Sequence, residues 1–313
     1  MAHIFFEGLC TENRPSNAPS YPPATSTECQ LSSPDSSGEI VFRNFASPAD
    51  YEQGAVLQMD TWGSDFKQCV PASILQISQK MGGVTAGAFD KDDHLVGFIY
   101  GLSGLLDGRP AHWSHMLATC REYRGTGIGR KLKTMQRDLL LAAGIDVVYW
   151  TFDPLIAGNA HFNINLLGVR PLKYVADMYG NDTGSELHSG LGTDRLIVEW
   201  KISDTRVADI LRGEPVTTGP PSGSEAATDV EVSDAATDAA FPTPPLVRVA
   251  IPLDIRSVKQ ASRERALTWR AVSRQALLFY LEHGYNIAGF QRDETTDRGY
   301  YYLSTKPQPD DAV

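Results

Sequence analysis

The sequence predicts a mixed α/β protein built on a sheet with both antiparallel and parallel character. Three observations lead there. Strand-like and helix-like stretches alternate from Glu39 to Ser203, early strands are joined by a hairpin-sized turn, and a later stretch reads strand, glycine-rich turn, amphipathic helix, buried strand. "EIVFRNFA" is the first strand. In "SPADYEQGAVLQMDTW", Ser47 is placed to cap a helix whose first residue is Pro48. "PASILQISQKMGG" is a second helix, closed by Gly82 and Gly83. "VTAGAFD" and "HLVGFIYGLSG" are strands joined by "KDD", and "HWSHMLATC" is a fourth strand. A helix is expected from about Ile128 to Ala143, with Leu132, Met135, Leu139 and Leu140 on its apolar stripe. The unbroken apolar run of "DVVYWTFD" marks a strand covered on both faces. "AGNAHFNINLLG" reads as a helix, and "YVADMYG" and "DRLIVEWKI" as strands.

Composition separates this body from its flanks. Residues 1–38 and 204–245 are rich in Ser, Pro, Thr and acids and poor in large apolar side chains. Such segments cannot bury enough surface to offset their ordering entropy, so both are expected to be disordered, the second as an acidic linker. The formal net charge of −10 is carried by these flanks and by a short tail, 307–313, with Lys306 beside it; the remainder is near neutral. No basic face suggests nucleic acid, no apolar run is long enough to cross a membrane, and no secretory leader is evident at the start. Cys10, Cys29, Cys69 and Cys120 lack metal-ligand or disulfide spacing, so no metal is expected and a reducing cytoplasm is the simplest location. Nothing in the sequence sets the oligomeric state. Residues 246–306 read as folded again.

The segment "REYRGTGIGRKL" carries glycines at 125, 127 and 129 at the mouth of a predicted helix. It lacks the Lys-Ser/Thr pair of a P-loop, and its spacing and position do not suit a dinucleotide fingerprint. Bare backbone at a helix N-terminus nevertheless suits a phosphate, because the N–H groups and the helix dipole converge there. Glycine at 127 and 129 keeps side chains out of the approach, and Arg124 can add a charge-assisted bond.

Arg124-Gly125-Thr126-Gly127-Ile128-Gly129 resembles the [QR]-x-x-G-x-[GA] signature of GNAT acyltransferases, and Glu39–Ile202 is similar in element order to a complete domain of that family. "YWTFDPLIAGNAHFNINLLG" with "TDRLIVEW" resembles a branch that carries an additional C-terminal segment. The resemblance implies a GNAT fold with splayed strands that admit the pantetheine of acetyl-CoA or another acyl-CoA. It assigns the pyrophosphate to Arg124–Gly129, the pantetheine amides to Leu117–Thr119, and a further bond to Asn159. The acceptor it implies is the amine of a small molecule or amino acid; a protein acceptor, or acyl-CoA binding without turnover, stays open.

Direct attack on a thioester requires a neutral amine. At pH 7 only about one lysine-like amine in ~2,500 is neutral, so a base is needed. His115 is the first candidate, on a strand whose alternation places Trp113, His115 and Leu117 on one face; it reads equally as a structural histidine. Asp153 closes the next strand, where it can face the cleft or cap the turn at Pro154. The tyrosine the family often carries four residues before the glycine ending its fourth helix is Ile164 here, which leaves Tyr174 or Tyr179 as candidate proton donors. In the C-terminal segment, "ALLFYLEHGYNIAGF" places Tyr280 four residues before Gly284 and reads as a helix–strand–strand unit. It reads as a degenerate partial repeat, and is either an extra layer that buries one side of the sheet or a lid whose Tyr280 or Trp269 shapes the acceptor pocket.

Overall fold

The computed structural model describes residues 39–180, 183–184, 190–214, 221, 223–230 and 241–305. The expected disordered start, 1–38, the tail and most of the expected linker lie outside the described residues. The mixed α/β class is as expected. The body is a seven-stranded sheet of β1 (Val41–Asn44), β2 (Val84–Phe89), β3 (Leu95–Leu106), β4 (Arg109–Thr119), β5 (Val147–Phe152), β6 (Arg170–Val175) and β7 (Arg195–Lys201), in the order β1-β2-β3-β4-β5-β7-β6. All its pairings are antiparallel except β4–β5.

Helices cover the two faces unequally. α1 (Pro48–Trp62) and α2 (Ala72–Lys80) close one face over β1–β4, around Phe45, Leu75, Phe98 and Tyr100. α1 starts as its sequence dictates: Ser47 and Asp50 form a reciprocal capping box with Pro48 in the first turn. α3 (Ile128–Ala142) and α4 (Ala157–Ala160, continuing as a π turn through His161–Leu166) cover the opposite face. On the α1–α2 face the half-buried residues of β5 and β7 belong to neither core, which leaves a recess beside β4.

Three boundaries differ from expectation. β3 and β4 extend further, to a turn at Asp107 and Gly108, both with left-handed backbone. The strand expected at "YVADMYG" begins earlier, and Ala176–Tyr179 are a turn. The expected linker opens instead with α5 (Thr205–Arg212), capped by Asp204 and docked on the body: Arg130 Nη2 donates to Ile210 O at 2.6 Å. The linker also contains β8 (Thr228–Val230), paired with the next strand. Both elements bury alternate apolar residues, Val207 with Ile210 and then Val230, which overall composition conceals.

The C-terminal segment holds one strand and one helix more than the expected unit: β9 (Leu246–Pro252), α6 (Ile255–Ala261), α7 (Arg263–Glu282), β10 (Asn286–Asp293) and β11 (Arg298–Ser304). Its sheet runs β8-β9-β11-β10, with β8–β9 parallel and the other pairs antiparallel. That repeats the order and directions of β4-β5-β7-β6, with α7 in the place of α4, so the partial-repeat reading matches the topology. It is also an added layer, joined to the body through one core that includes Tyr174, Leu191, Tyr280 and Tyr301.

Two arginines one turn apart on α7 tie the halves together. Arg270 makes a bidentate pair with Asp153 at 2.9 and 2.7 Å and donates Nε to Leu191 O at 2.9 Å. Arg274 Nε binds Asp194 at 2.8 Å, and its Nη2 reaches Asp177 at 3.1 Å. Both Arg270 and Asp153 are buried. Removing one member of such a pair leaves a charge uncompensated. Arg270→Met is expected to cost about 3–5 kcal/mol, read as a lower urea midpoint at unchanged slope. A midpoint equal to wild type would mean that α7 does not hold the end of β5.

Candidate functional site

The ladder between β4 and β5 consists of two positions only, His112↔Val148 and Trp113↔Tyr149. Beyond them β4 keeps β3 on one side but has no strand on the other, from Ser114 to Thr119. The splayed pair implied by the resemblance is therefore present, with Leu117 and Thr119 on its open edge. At the point of divergence β4 carries a bulge: Tyr100 pairs with Met116 and Gly101 with Ser114, so His115 is the extra residue. Gly101 is required opposite it, because a Cβ there would lie 2.2 Å from His112 Nε2 and 2.6 Å from Trp113 O.

The bulge changes which residues share a face. Leu117 joins the core under α3, whereas Met116 and Ala118 join the core under α1–α2. His115 stands edge-on to Tyr100, 6.1 Å between ring centres, on the α1–α2 side. The expected grouping of His115 with Leu117 is corrected accordingly. His115 is half-buried, and burial lowers its pKa from the ordinary value.

After a short 3-10 turn at Arg121–Tyr123, the glycine segment forms the N-terminus of α3. Gly125 and Gly127 have φ of +80° and +88°, and nothing lies within 4 Å of where their side chains would be. Lys131 N to Gly127 O, 3.0 Å, is the first helical bond. The N–H groups of Ile128, Gly129 and Arg130 thus precede the helical ladder, as the first donors of any helix do. Arg124 Nε donates to Thr119 O at 3.3 Å and Thr126 Oγ1 to Tyr123 O at 2.7 Å, tying the turn to the end of β4. A Cβ added at Gly129 would lie 3.8 Å from the side chains of both Leu117 and Phe162, so β4, α3 and α4 meet beside it. Asn159 is exposed one turn before Phe162. The donor set along Arg124–Gly129 and the open edge at Leu117–Thr119 fit a long ligand that carries phosphates at one end and amides behind them.

Two proposed catalytic residues are placed elsewhere. Asp153 is held by Arg270, and its Oδ1 also accepts from Leu155 N at 2.9 Å, so its oxygens are committed inside the interface. Tyr174 is buried and donates to Asp194; burial first, and that carboxylate second, push its phenol pKa far up. Ile164 is buried on α4 where a tyrosine is often found. Tyr179 is half-exposed instead, with its hydroxyl 3.2 Å from Thr151 Oγ1 on β5. The α1–α2 and β6–β7 connections meet where Lys67 N donates to Thr183 O at 3.0 Å.

One group escaped the sequence reading. Lys133 lies fully inside, its Nζ 2.8 Å from Ser114 Oγ, 3.3 Å from Gln136 Oε1 and 3.6 Å from the centre of the Trp150 ring. Gln136 Nε2 in turn meets His112 Nε2 at 3.1 Å, and Ser103 Oγ lies 2.9 Å from His112 Nδ1. The period that makes α3 amphipathic places Gly129, Lys133, Gln136 and Leu140 on one stripe. That spacing was the available signal.

No protein-family model matches the chain, and no curated protein matches it. Solved structures align with about half of the chain. The NatC complex bound to Gag peptide and CoA is 16% identical, with 52% of this chain and 98% of that one covered and a TM-score of 0.43. Aminoglycoside 6'-acetyltransferase type Ii is 18% identical over 52% and 97%, with a TM-score of 0.41. A GNAT-family N-acetyltransferase from Escherichia coli in complex with CoA is 16% identical over 57% and 88%, with a TM-score of 0.36. The strand order, the bulge and the splayed parallel pair of the body are the arrangement that the sequence resemblance implies, and a second sheet extends it. Among the described residues no helix is long and apolar enough to cross a membrane.

The buried histidine yields a pH test. Burial first, and Lys133 second, lower the His112 pKa to about 3. Unfolded, it takes up a proton near pH 6.5. Its contribution to stability is therefore complete above about 6.5 and is lost as pH falls toward the folded value, by about 1.4 kcal/mol per unit. Urea denaturation at pH 7, 6 and 5 is expected to show this slope, and His112→Asn to flatten it. An unchanged slope in the variant would assign the acid sensitivity elsewhere.

Proposed function

We propose that the chain is an acyl-CoA-dependent N-acyltransferase that moves a short acyl group to the amine of a small molecule or amino acid, in a ternary complex. The observation that carries this reading is the unpaired edge of β4 running from the bulge to the glycine-rich N-terminus of α3. An interior strand edge is a row of unsatisfied amide groups, and the pantetheine arm supplies complementary ones. Arg124–Gly129 would hold the pyrophosphate through backbone N–H groups, Leu117 and Thr119 the amides, and Asn159 the arm from α4. The thioester supplies an activated carbonyl with a good leaving group.

His115 is positioned on the acceptor side of the divergence. Because burial depresses its pKa, it is neutral at pH 7 and competent to take a proton from an incoming ammonium. The recess over β5 and β7 is the acceptor's place, and the contact between the two loops at Lys67 and Thr183 supports a small acceptor over a protein surface. A cytoplasmic setting suits the cosubstrate. Ile164 supports a second reading, acyl-CoA binding without turnover, because no phenol stands on α4 to protonate the departing thiolate.

Gly127→Asp is the direct test. Open space around the residue leaves room for the side chain, at the cost of strain from the left-handed backbone, while the carboxylate repels the pyrophosphate. Calorimetry is expected to show CoA affinity lost; a folded variant that binds CoA like wild type would remove the basis of the reading. With CoA binding established, His115→Ala is expected to slow acetyl transfer to a lysine-like amine by about 10²–10⁴-fold. The loss should be smaller for an α-amine, and the acid limb of the rate profile, below about pH 6.5, should vanish. Turnover of no amine in a broad panel, with CoA bound, would favour the non-catalytic reading.

A further inference from the structure

The stripe of α3 that carries Gly129, Lys133 and Gln136 follows the seam between β4 and β5. Gly129 is at the open end, beside Leu117 and Phe162. Gln136 is at the closed end, against His112 of the last paired region. Lys133 lies between them. Its two strand contacts, Ser114 and Trp150, are the first residues past the paired positions on β4 and β5. The amine therefore sits where the strands part. An acyl-CoA that enters past Gly129 and lies along the edge of β4 ends with its acyl group pointing at this place, a geometry that rests on the cofactor reading above.

The apex is filled. Lys133 is 2% exposed, and Ser114 and Trp150 are each 6% exposed. None of the partners of Lys133 is a carboxylate: they are a hydroxyl, an amide oxygen and the faces of Trp150 and, at 5.9 Å, Trp200. A side chain of this length closes the apex by its volume. Lys133 is also fastened at its tip, because withdrawing it would strand the buried Ser114 hydroxyl and the Gln136 carbonyl. Burial drives its pKa well down.

We propose that Lys133 is the stop that sets acyl length, so that the seam accepts acetyl and propionyl groups and turns away longer ones. This makes it a specificity-determining residue for an uncharged, short-chain acyl donor.

Calorimetric titration of the full chain with CoA and with acetyl-, propionyl-, butyryl-, hexanoyl- and succinyl-CoA tests this without knowledge of the acceptor. Acetyl- and propionyl-CoA are expected to bind about as tightly as CoA, and the three longer donors at least about tenfold more weakly. Lys133→Ala should restore at least about tenfold in affinity for butyryl- and hexanoyl-CoA and leave CoA unchanged. Lys133→Met fills the same space without the amine and should keep the wild-type ranking. The proposal is overturned by hexanoyl-CoA binding wild type as well as acetyl-CoA, or by a Lys133→Ala ranking identical to wild type. It is equally overturned by a Lys133→Met variant that opens to long chains. Succinyl-CoA binding more tightly than acetyl-CoA would also overturn it, since the amine would then read a carboxylate instead of blocking a chain. If Lys133→Ala does not fold, the wild-type and Lys133→Met rankings decide. Failure of CoA itself to bind, measured on the same samples, would strike the cofactor reading and is distinct from all of these.

Discussion

The separation of β4 from β5 after two paired positions is the constraint on which the rest of the molecule depends. A parallel pair inside a sheet would ordinarily continue, since each added position satisfies amide groups that are costly to leave bare. Here a bulge at His115 changes the course and facing of β4 at the point of divergence. Gly101 across the ladder leaves room for it. α3 and α4 then approach the gap from one side, and the glycine turn places helix N–H groups at its mouth. The recess, the opening beside Phe162 and the buried lysine at the apex are all defined relative to that one interrupted ladder.

Such a gap weakens the sheet at its centre, and the surrounding structure compensates with polar contacts that reach across it. Lys133 bridges Ser114 on β4 to the ring of Trp150 on β5, and Trp150 Nε1 is held in turn by Asn163 Oδ1 at 2.9 Å on α4. At the far end of β5, Asp153 is not left facing the cleft but is locked by Arg270. Asp194, at the start of β7, is shared by Arg274 and Tyr174. Burial alone would raise the pKa of Asp194, but the bonds from Arg274, Tyr174 and a backbone N–H outweigh it and hold the carboxylate ionised. The C-terminal unit thus stiffens the half of the sheet that the divergence isolates.

What was legible in the sequence was local. The Ser47 cap, the hairpin at Asp90–Asp93, the stripe of α3 and the glycine turn depend on residues within one or two turns of each other, and each is where its chemistry placed it. The bulge was not legible, because it is set by Gly101, on the neighbouring strand. The surroundings of Asp153 and Tyr174 were not legible for the same reason, although the turn cap read at Asp153 is present, with Leu155 N donating to it. Their partners are Arg270 and Asp194, distant in the chain, and a titratable residue at the end of a strand looks the same whether it meets substrate or an arginine. α5 was hidden by its position beside an acidic, proline-rich stretch, although Asp204 and the Val207–Ile210 pair carry an ordinary helix signal.

The C-terminal unit repeats a spacing of the body with a different residue at the matching position. Tyr280 stands four residues before Gly284 on α7, the spacing at which Ile164 precedes Gly168 on α4, and the two helices occupy equivalent places in sheets of the same order. On α4 the position has lost the phenol; on α7 the phenol is present but fully buried, its hydroxyl donating to Pro242 O at 2.8 Å within a cluster of Phe241, Phe279 and Tyr285. Burial raises its pKa to about 12. A proton donor needs a hydroxyl that is both reachable and uncommitted. Tyr174 and Tyr280 fail on both counts. Tyr179, half-exposed with its hydroxyl 3.2 Å from Thr151 Oγ1, meets the first.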